Sequence, residues 1–219
     1  MARHRTLASH VAAAFISLLS TTPKYNYAVG PPDTGLFRAI NHWPQALGPT
    51  MKFLSEATNY TDVKVLLGIL VLGMLIRNSK TRTTVLLALV AVGAANSFTE
   101  VFKHTWPMHR PFQDFPNDVI MWVGKTENFG TASAHSANMA AVAYVFVRYL
   151  KAWGAPWVAI AVLVGISRIF CGAHYPYQVA LGWACGVLAA FIVTAGWEQW
   201  KARRSLSEDV PTEPEVSVS

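Results

Sequence analysis

The sequence predicts an all-α protein, a multispan transmembrane helical bundle, and three observations carry that prediction. Apolar residues make up 53% of the chain and charged residues only 14%, against roughly 25% charged in soluble domains. The apolar residues are gathered into runs that approach the ~20 residues a helix needs to cross a bilayer. The charges lie at the ends of the chain and in a few short polar stretches between the runs. A length of 219 residues suits one domain. The formal net charge of +6 could suggest nucleic acid, but the basic residues form no stripe with interleaved aromatics. The membrane, not nucleic acid, is therefore the expected partner.

Taken in order, Arg3, His4 and Arg5 precede an apolar run at 7–20 that His10 interrupts. This run is short for a span and resembles the start of a signal peptide. No clean small-x-small cleavage site follows, so a retained first span is expected. The stretch PKYNYAVGPPDTG reads as loop and closes an N-terminal segment, 1–35. Residues 36–59 are amphipathic, and Trp43, Phe53 and Tyr60 suit a membrane interface. This segment is expected to lie along the surface or dip in.

Apolar runs follow at 63–76 and 83–102, separated by the basic cluster RNSKTR. The polar stretch 103–131 holds Pro107, Pro111 and Pro116, so helix should not run through it. Further runs lie at 133–149, 157–171 and 179–197. Gly182 and Gly186 give the last of them a small-xxx-small face for helix packing. Cys171 and Cys185 sit in apolar runs without ligand spacing and read as small core residues. A membrane domain over 36–200 then gives way to a polar, disordered cytoplasmic tail, 201–219.

The basic loops set the topology. RNSKTR, Arg148 with Lys151, and Lys201 with Arg203 and Arg204 are placed inside by the positive-inside rule. Six spans with both termini inside accommodate every loop, and five would leave Arg3 and Arg5 outside. Alternation then puts 103–131 and 172–178 together on the outer face, which for a bacterial cell is the periplasmic face of the inner membrane.

That face collects three segments: Lys103 with Arg110 and Pro111, then Ala132-Ser133-Ala134-His135, then Ser167-Arg168 with His174. Lys103, Arg110 and Arg168 repel one another unless an anion joins them. Guanidinium groups match phosphate oxygens bidentately, while lysine acts as a point charge. Residues 132–135 open a helix whose first N–H groups lack partners, a ready anion site to which Ser133 adds a hydroxyl. His174, held between two spans, suits attack on phosphorus, and His135 suits proton transfer to and from the leaving oxygen. Each residue alone has an ordinary reading, a snorkelling anchor or a satisfied interface histidine. Their convergence on one face points to phosphoryl chemistry. A zinc site built from His104, His109, His135 and Asp114 lacks HExxH or comparable spacing. Glu100 is spaced to pair with Lys103, and Trp106 and Trp122 suit interface anchoring or contact with a lipid tail.

These three segments resemble the tripartite signature of the type 2 phosphatidic acid phosphatase superfamily, integral-membrane lipid phosphate phosphatases with vanadium haloperoxidases as soluble relatives. The family pattern is K-x6-R-P, then P-S-G-H, then S-R-x5-H-x3-D. The first part is intact from Lys103 to Pro111. In the second, Ser133 and His135 match while Ala132 and Ala134 replace Pro and Gly. The third matches through Ser167, Arg168 and His174. The resemblance covers roughly 60–197. It implies a helical fold with the site at the outer membrane face. It also implies that Lys103, Arg110, Ser133, Arg168 and the backbone N–H of Ala134 hold phosphate, that His174 is the nucleophile that becomes phosphohistidine, and that His135 is the general acid. It implies no metal and no cofactor. The implied substrate is a phosphorylated lipid: undecaprenyl diphosphate, phosphatidic acid, phosphatidylglycerol phosphate or a lipid A phosphate.

One departure bears on mechanism. The aspartate expected to orient the nucleophilic histidine falls at Gln178. An amide can accept the same hydrogen bond without bringing charge, or flip and donate instead. Three outcomes are open at this point. A carboxylate from Asp62, Asp114, Asp118 or Glu127 substitutes, or the enzyme is slow, or the protein is a catalytically impaired lipid-phosphate-binding or phosphotransfer protein. A structural or transport role without phosphate chemistry is the remaining class.

Overall fold

The computed structural model describes residues 33–126 and 128–208. The expected first span at 7–20 and Glu127 lie outside them. Helix α1 (Thr34–Asn41) and helix α2 (Gly48–Glu56) precede α3 (Thr61–Arg77) and α4 (Ser79–Thr105). A four-residue helix, α5 (Pro111–Asp114), interrupts the polar stretch, and α6 (Ala134–Leu150), α7 (Ala155–Phe170) and α8 (Pro176–Glu208) follow among the described residues. Among the described residues there is no strand.

Three stretches are long and apolar enough to cross a membrane: Ser79–Thr105, Ala134–Phe170 and Pro176–Leu206. The pair Gln45–Asn59 and Thr61–Arg77, bent by 59°, makes a fourth if it counts as one broken span. By length and composition the described residues thus supply three or four span candidates, and the expected six, whose first member at 7–20 lies outside them, are not established. The second stretch is not a straight rod. A 3₁₀ turn at Lys151–Gly154 folds α7 back along α6. Gly154 permits the turn, since a Cβ there would lie 2.4 Å from the Val147 backbone nitrogen. Phe146 and Trp157 then meet edge to face, with ring centroids 4.9 Å apart.

RNSKTR is not a loop. Only Asn78 separates α3 from α4, and its side chain caps α4 by accepting from the Thr81 N–H at 3.0 Å. Thr81 and Arg82 donate to the Met74 and Leu75 carbonyls, so polar residues pin the junction by satisfying the open end of α3. The start of the expected disordered tail is also helical. Helix α8 continues past residue 200 to Glu208, because KARRSLSE consists largely of adequate helix formers with no Gly or Pro. Residues 209–219 lie outside the description.

Small residues hold the shafts together. Ala88, Ala91 and Ala95 of α4, Ala137 and Ala141 of α6, and Ala189 and Ala190 of α8 are buried in one cluster. A Cβ on Gly186 would lie 2.1 Å from the Ala137 carbonyl oxygen, and one on Gly182 2.5 Å from that of Ser133. The expected small-xxx-small face is therefore the surface on which α8 rides against α6. Cys185 belongs to the same cluster, and both cysteines are buried and free.

These directions bring the end of α4, the start of α6, the end of α7 and the start of α8 to one end of the bundle. Arg77, Lys80 and Leu150 line a common hollow at the other end, where Tyr149 of α6 also donates to Glu198 of α8 at 2.7 Å. The amphipathic segment is held on the bundle: α1 and α2 both pack on α7. Asn41, wholly buried, donates to the Phe170 carbonyl at 2.7 Å, and Trp122 donates to Gln45 at 2.9 Å. Trp122 thus packs against Gly48 while staying partly exposed.

Candidate active site

The site is assembled from two loops and two helix ends. Arg110 caps α5, with Pro111 at its first position, where the missing N–H costs nothing. The preceding loop is stitched to the segment before α6. Gly130 N–H donates to the Met108 carbonyl at 2.8 Å, and the wholly buried Thr131 hydroxyl accepts from Met108 N–H while donating to the Trp106 carbonyl. Ser133 caps α6, its hydroxyl oxygen accepting from the Ser136 N–H at 3.4 Å and from the Ser136 hydroxyl at 3.0 Å, and its N–H donates to the Gln178 carbonyl at 2.9 Å. At the end of α7, Gly172 takes φ +75°, a conformation glycine adopts without cost. The chain turns there, and the N–H groups of Ala173 and His174 return to the Arg168 carbonyl.

His174 is thereby buried at the centre. Its Nδ1 lies 3.1 Å from the Gly130 carbonyl oxygen and 3.2 Å from Gln178 Oε1. The orientation of Gln178 is fixed by backbone groups of known polarity. Its Oε1 accepts from Tyr175 N–H at 3.1 Å, and its Nε2 donates to the His109 carbonyl at 2.8 Å. The amide is thus not free to flip. Two acceptors face Nδ1, so Nδ1 carries the proton and Nε2 the lone pair. Arg110 Nη1 lies 3.2 Å from Nε2 and donates to it. Burial first, then the charges of Arg110 and Arg168, push the His174 pKa well below its ordinary value, so the imidazole is neutral near pH 7.

Arg110 is braced on every side. Nε donates to the Asn128 carbonyl at 2.8 Å, Nη1 to that of Ala173 at 3.0 Å, and Nη2 to that of Phe129 at 3.3 Å. Burial, reinforced by Arg168, lowers its pKa to about 10. Arg168 differs: its Nε is buried and without a hydrogen-bond partner. Among the described residues neither arginine is paired with a carboxylate. Lys103 is held by Glu100 at 2.6 Å, the pairing its spacing predicts. Lys103, Arg110 and Arg168 all act electrostatically on His135, which in turn acts on His174. Ala134 and His135 are the first two residues of α6. The residues singled out in the sequence therefore share one end of the bundle. Two buried guanidinium groups that no carboxylate touches among the described residues, with Glu56 acting on Arg168 only at longer range, leave it short of an anion.

No carboxylate hydrogen-bonds His174 among the described residues. Asp62 lies in the first turn of α3, Asp118 pairs with Arg38 at 2.8 Å, and Asp114 is held by His109 Nδ1 at 2.9 Å and the Tyr175 hydroxyl at 2.8 Å. Burial and Asp114 raise the pKa of the Tyr175 phenol far above its ordinary value, so it remains a donor. Asp114 thus stands behind Tyr175, and Asp33 accepts from the Tyr177 N–H at 2.6 Å, so neither lies against the imidazole. Sequence reasoning missed the Gly130 carbonyl, Tyr175 and the His109 carbonyl. Their signals were proximity to Ser133, to His174 and to Arg110 respectively. Among the described residues no group of three or more His, Cys, Asp or Glu side chains is arranged to hold a metal ion.

The profile described as the PAP2 superfamily matches residues 84–202. The chain belongs to that superfamily. It is a membrane protein, and a phosphoric ester hydrolase by that membership. Over 160 residues this PAP2 chain is 32% identical to the bacitracin transport permease protein BcrC of Bacillus licheniformis, covering 72% of this chain and 76% of the relative. It is 27% identical over 162 residues to the undecaprenyl-diphosphatase of Sulfolobus acidocaldarius, covering 72% and 74%. The crystal structure of Aquifex aeolicus LpxE superposes with a TM-score of 0.62 at 20% identity, over 78% of this chain and 97% of that one. A transmembrane PAP2-type phosphatidylglycerolphosphate phosphatase from Bacillus subtilis gives 0.60 at 24%, over 88% and 96%. Both share the fold.

Proposed function

We propose that the protein hydrolyses the terminal phosphate of a lipid phosphomonoester or diphosphate in two steps through His174. The observation that carries this reading is the state of that imidazole: neutral, protonated on Nδ1, with its Nε2 lone pair beside a guanidinium. An entering phosphate takes Arg110 Nη1 from Nε2, which frees the lone pair. It also meets Arg168, Lys103, the Ser133 hydroxyl and the first N–H groups of α6, beginning with Ala134. Nε2 then attacks phosphorus, the bond to the leaving oxygen breaks, and His135, having taken up a second ring proton together with the phosphate anion, gives that oxygen a proton. In the second step His135 takes a proton from water, which displaces phosphate from His174. The positive charge that develops on the imidazole is spread towards two neutral acceptors, Gly130 and Gln178.

The substrate class favoured is an isoprenyl diphosphate of the undecaprenyl type, ahead of phosphatidic acid, phosphatidylglycerol phosphate and lipid A phosphates. The undecaprenyl-diphosphatase relative supports it. The proposed location is the bacterial inner membrane with the site on the periplasmic face, supported by the gathering of Arg77, Lys80, Arg148 and Lys151 at the opposite end. A panel of these lipids, assayed for released phosphate with and without chelator, tests the reading. Release from none of them would overturn it.

One observation favours a second reading, a lipid-phosphate-binding or phosphotransfer protein with little hydrolysis: among the described residues no charged acceptor touches His174. Gln178→Asp separates the two. A large gain in phosphate release means the amide limits catalysis, and no gain means the neutral relay is already complete.

A further inference from the structure

Arg168 has an unusual partner. Its Nη1 donates to the Ser55 hydroxyl at 2.7 Å and approaches the Ser55 carbonyl at 3.3 Å. Ser55 is wholly buried, on α2 of the bent segment, and lies outside the 84–202 region that matches the family. Its carbonyl is among the last of α2, which have no partner inside the helix and carry the negative end of the helix dipole. The hydroxyl's other neighbour is the Cys171 thiol. Ser55 thus offers the guanidinium two neutral acceptors from one residue and leaves Nε unpaired. A guanidinium held by Nη1 keeps its Nε–Nη2 edge, which presents two parallel N–H groups to a pair of phosphate oxygens.

We infer that Ser55 is a positioning residue that clamps Nη1 of Arg168 so that its Nε–Nη2 edge meets the substrate phosphate. This deepens the proposed function and rests on it. The clamp suits its task because its acceptors are uncharged. A carboxylate in the same place would neutralise Arg168 and compete with the phosphate, whereas a hydroxyl and a helix-end carbonyl orient the cation and leave its charge for the ligand. Arg110, whose donors are tied to three backbone carbonyls, has its shape set by the loops. Arg168 has its shape set by α2, an element that packs on α7 from the N-terminal side.

The test is kinetic, on the full chain in detergent or vesicles. A hydrogen bond to a charged group corresponds to roughly 10- to 100-fold, and Ser55→Ala removes one of two. The expected result is a fall in kcat/KM of about 10-fold, with an equal rise in the inhibition constant of vanadate. Ser55→Thr, which keeps the hydroxyl, restores both. Ser55→Cys keeps the volume but offers a weak acceptor, so it behaves like Ser55→Ala and covers the case in which alanine fails to fold. In an Arg168→Lys background, which has no fork to orient, Ser55→Ala should change kcat/KM by less than about twofold. An unchanged kcat/KM and vanadate constant in Ser55→Ala, or an equal loss in the Arg168→Lys background, would overturn the inference. His174→Ala is the control for the parent reading. Retained hydrolysis there, or none in the wild type, sinks the phosphatase mechanism. Vanadate protection against thermal unfolding then still reads Ser55, which the inference requires to weaken about 10-fold in Ser55→Ala.

Discussion

The shafts of the bundle and its polar cap are specified in opposite ways. In the shafts, α4, α6 and α8 meet through alanine and glycine, and the hydrogen bond from Tyr149 to Glu198 ties α6 to α8 only at the far end. In the cap, Arg110, Thr131, Ser133, Arg168, His174 and Gln178 are all buried and polar, and each is fixed by a partner from a different segment. Shafts packed this way tolerate loss of polar groups but not added volume. The cap should respond to displaced hydrogen bonds far more than to changes in hydrophobicity, because an unmade bond to a buried charge costs its full desolvation.

The largest contrast is expected at Gly130. A Cβ there would lie 2.6 Å from Gln178 Nε2 and 2.8 Å from Oε1. Gly130→Ala therefore pushes the relay amide off Nδ1 of His174. A misplacement on the order of 1 Å near a reacting group costs about 10²-fold, which steady-state kcat/KM would register while the bundle stays folded. The converse belongs to Gly186, whose Cβ would meet the Ala137 carbonyl oxygen, a backbone atom that cannot swing away. Gly186→Ala is expected to destabilise by about 1–3 kcal/mol, measured as a lowered Tm, with kcat nearly unchanged at temperatures where it remains folded. If the two substitutions gave the same profile, the division between shaft and cap would fail.

The smallest effect concerns pH. His174 is held neutral when folded, whereas an unfolded histidine binds a proton below about pH 6.5. Between those two values the unfolded state carries the extra proton, so stability rises with pH there. The contribution is complete above about pH 6.5 and is lost as pH falls towards the folded pKa. His174→Gln should flatten the acid side of a Tm-versus-pH curve relative to wild type, and parallel curves would contradict a neutral buried imidazole.

The same contrast explains what could be read from sequence. Apolar runs and the Gly182/Gly186 spacing announce the shafts, because periodic composition is all that their packing requires. The meeting of Lys103, Arg110, Ser133, Arg168 and His174 follows from counting helices and placing the basic loops. Polarity misled at two helix ends. Ser79 to Arg82 and Lys201 to Glu208 are helical although they look like loop and tail, since helix formation depends on capping and propensity rather than on apolar character. What sequence could not supply was any contact made by a backbone carbonyl or by a remote small side chain. Nothing in GPTMKFLSE marks Ser55 as the partner of Arg168, and nothing marks the carbonyls of Gly130 and His109 as the atoms that decide the tautomer of His174 and the direction of Gln178.

Trapping the reaction intermediate tests the central claim most directly. Radiolabelled lipid diphosphate is mixed with the full chain, quenched in alkali within a turnover, and the protein digested and mapped. The account predicts an acid-labile, alkali-stable phosphoryl group on His174, absent in His174→Ala. Turnover without label on the protein, or label that persists in His174→Ala, would contradict it.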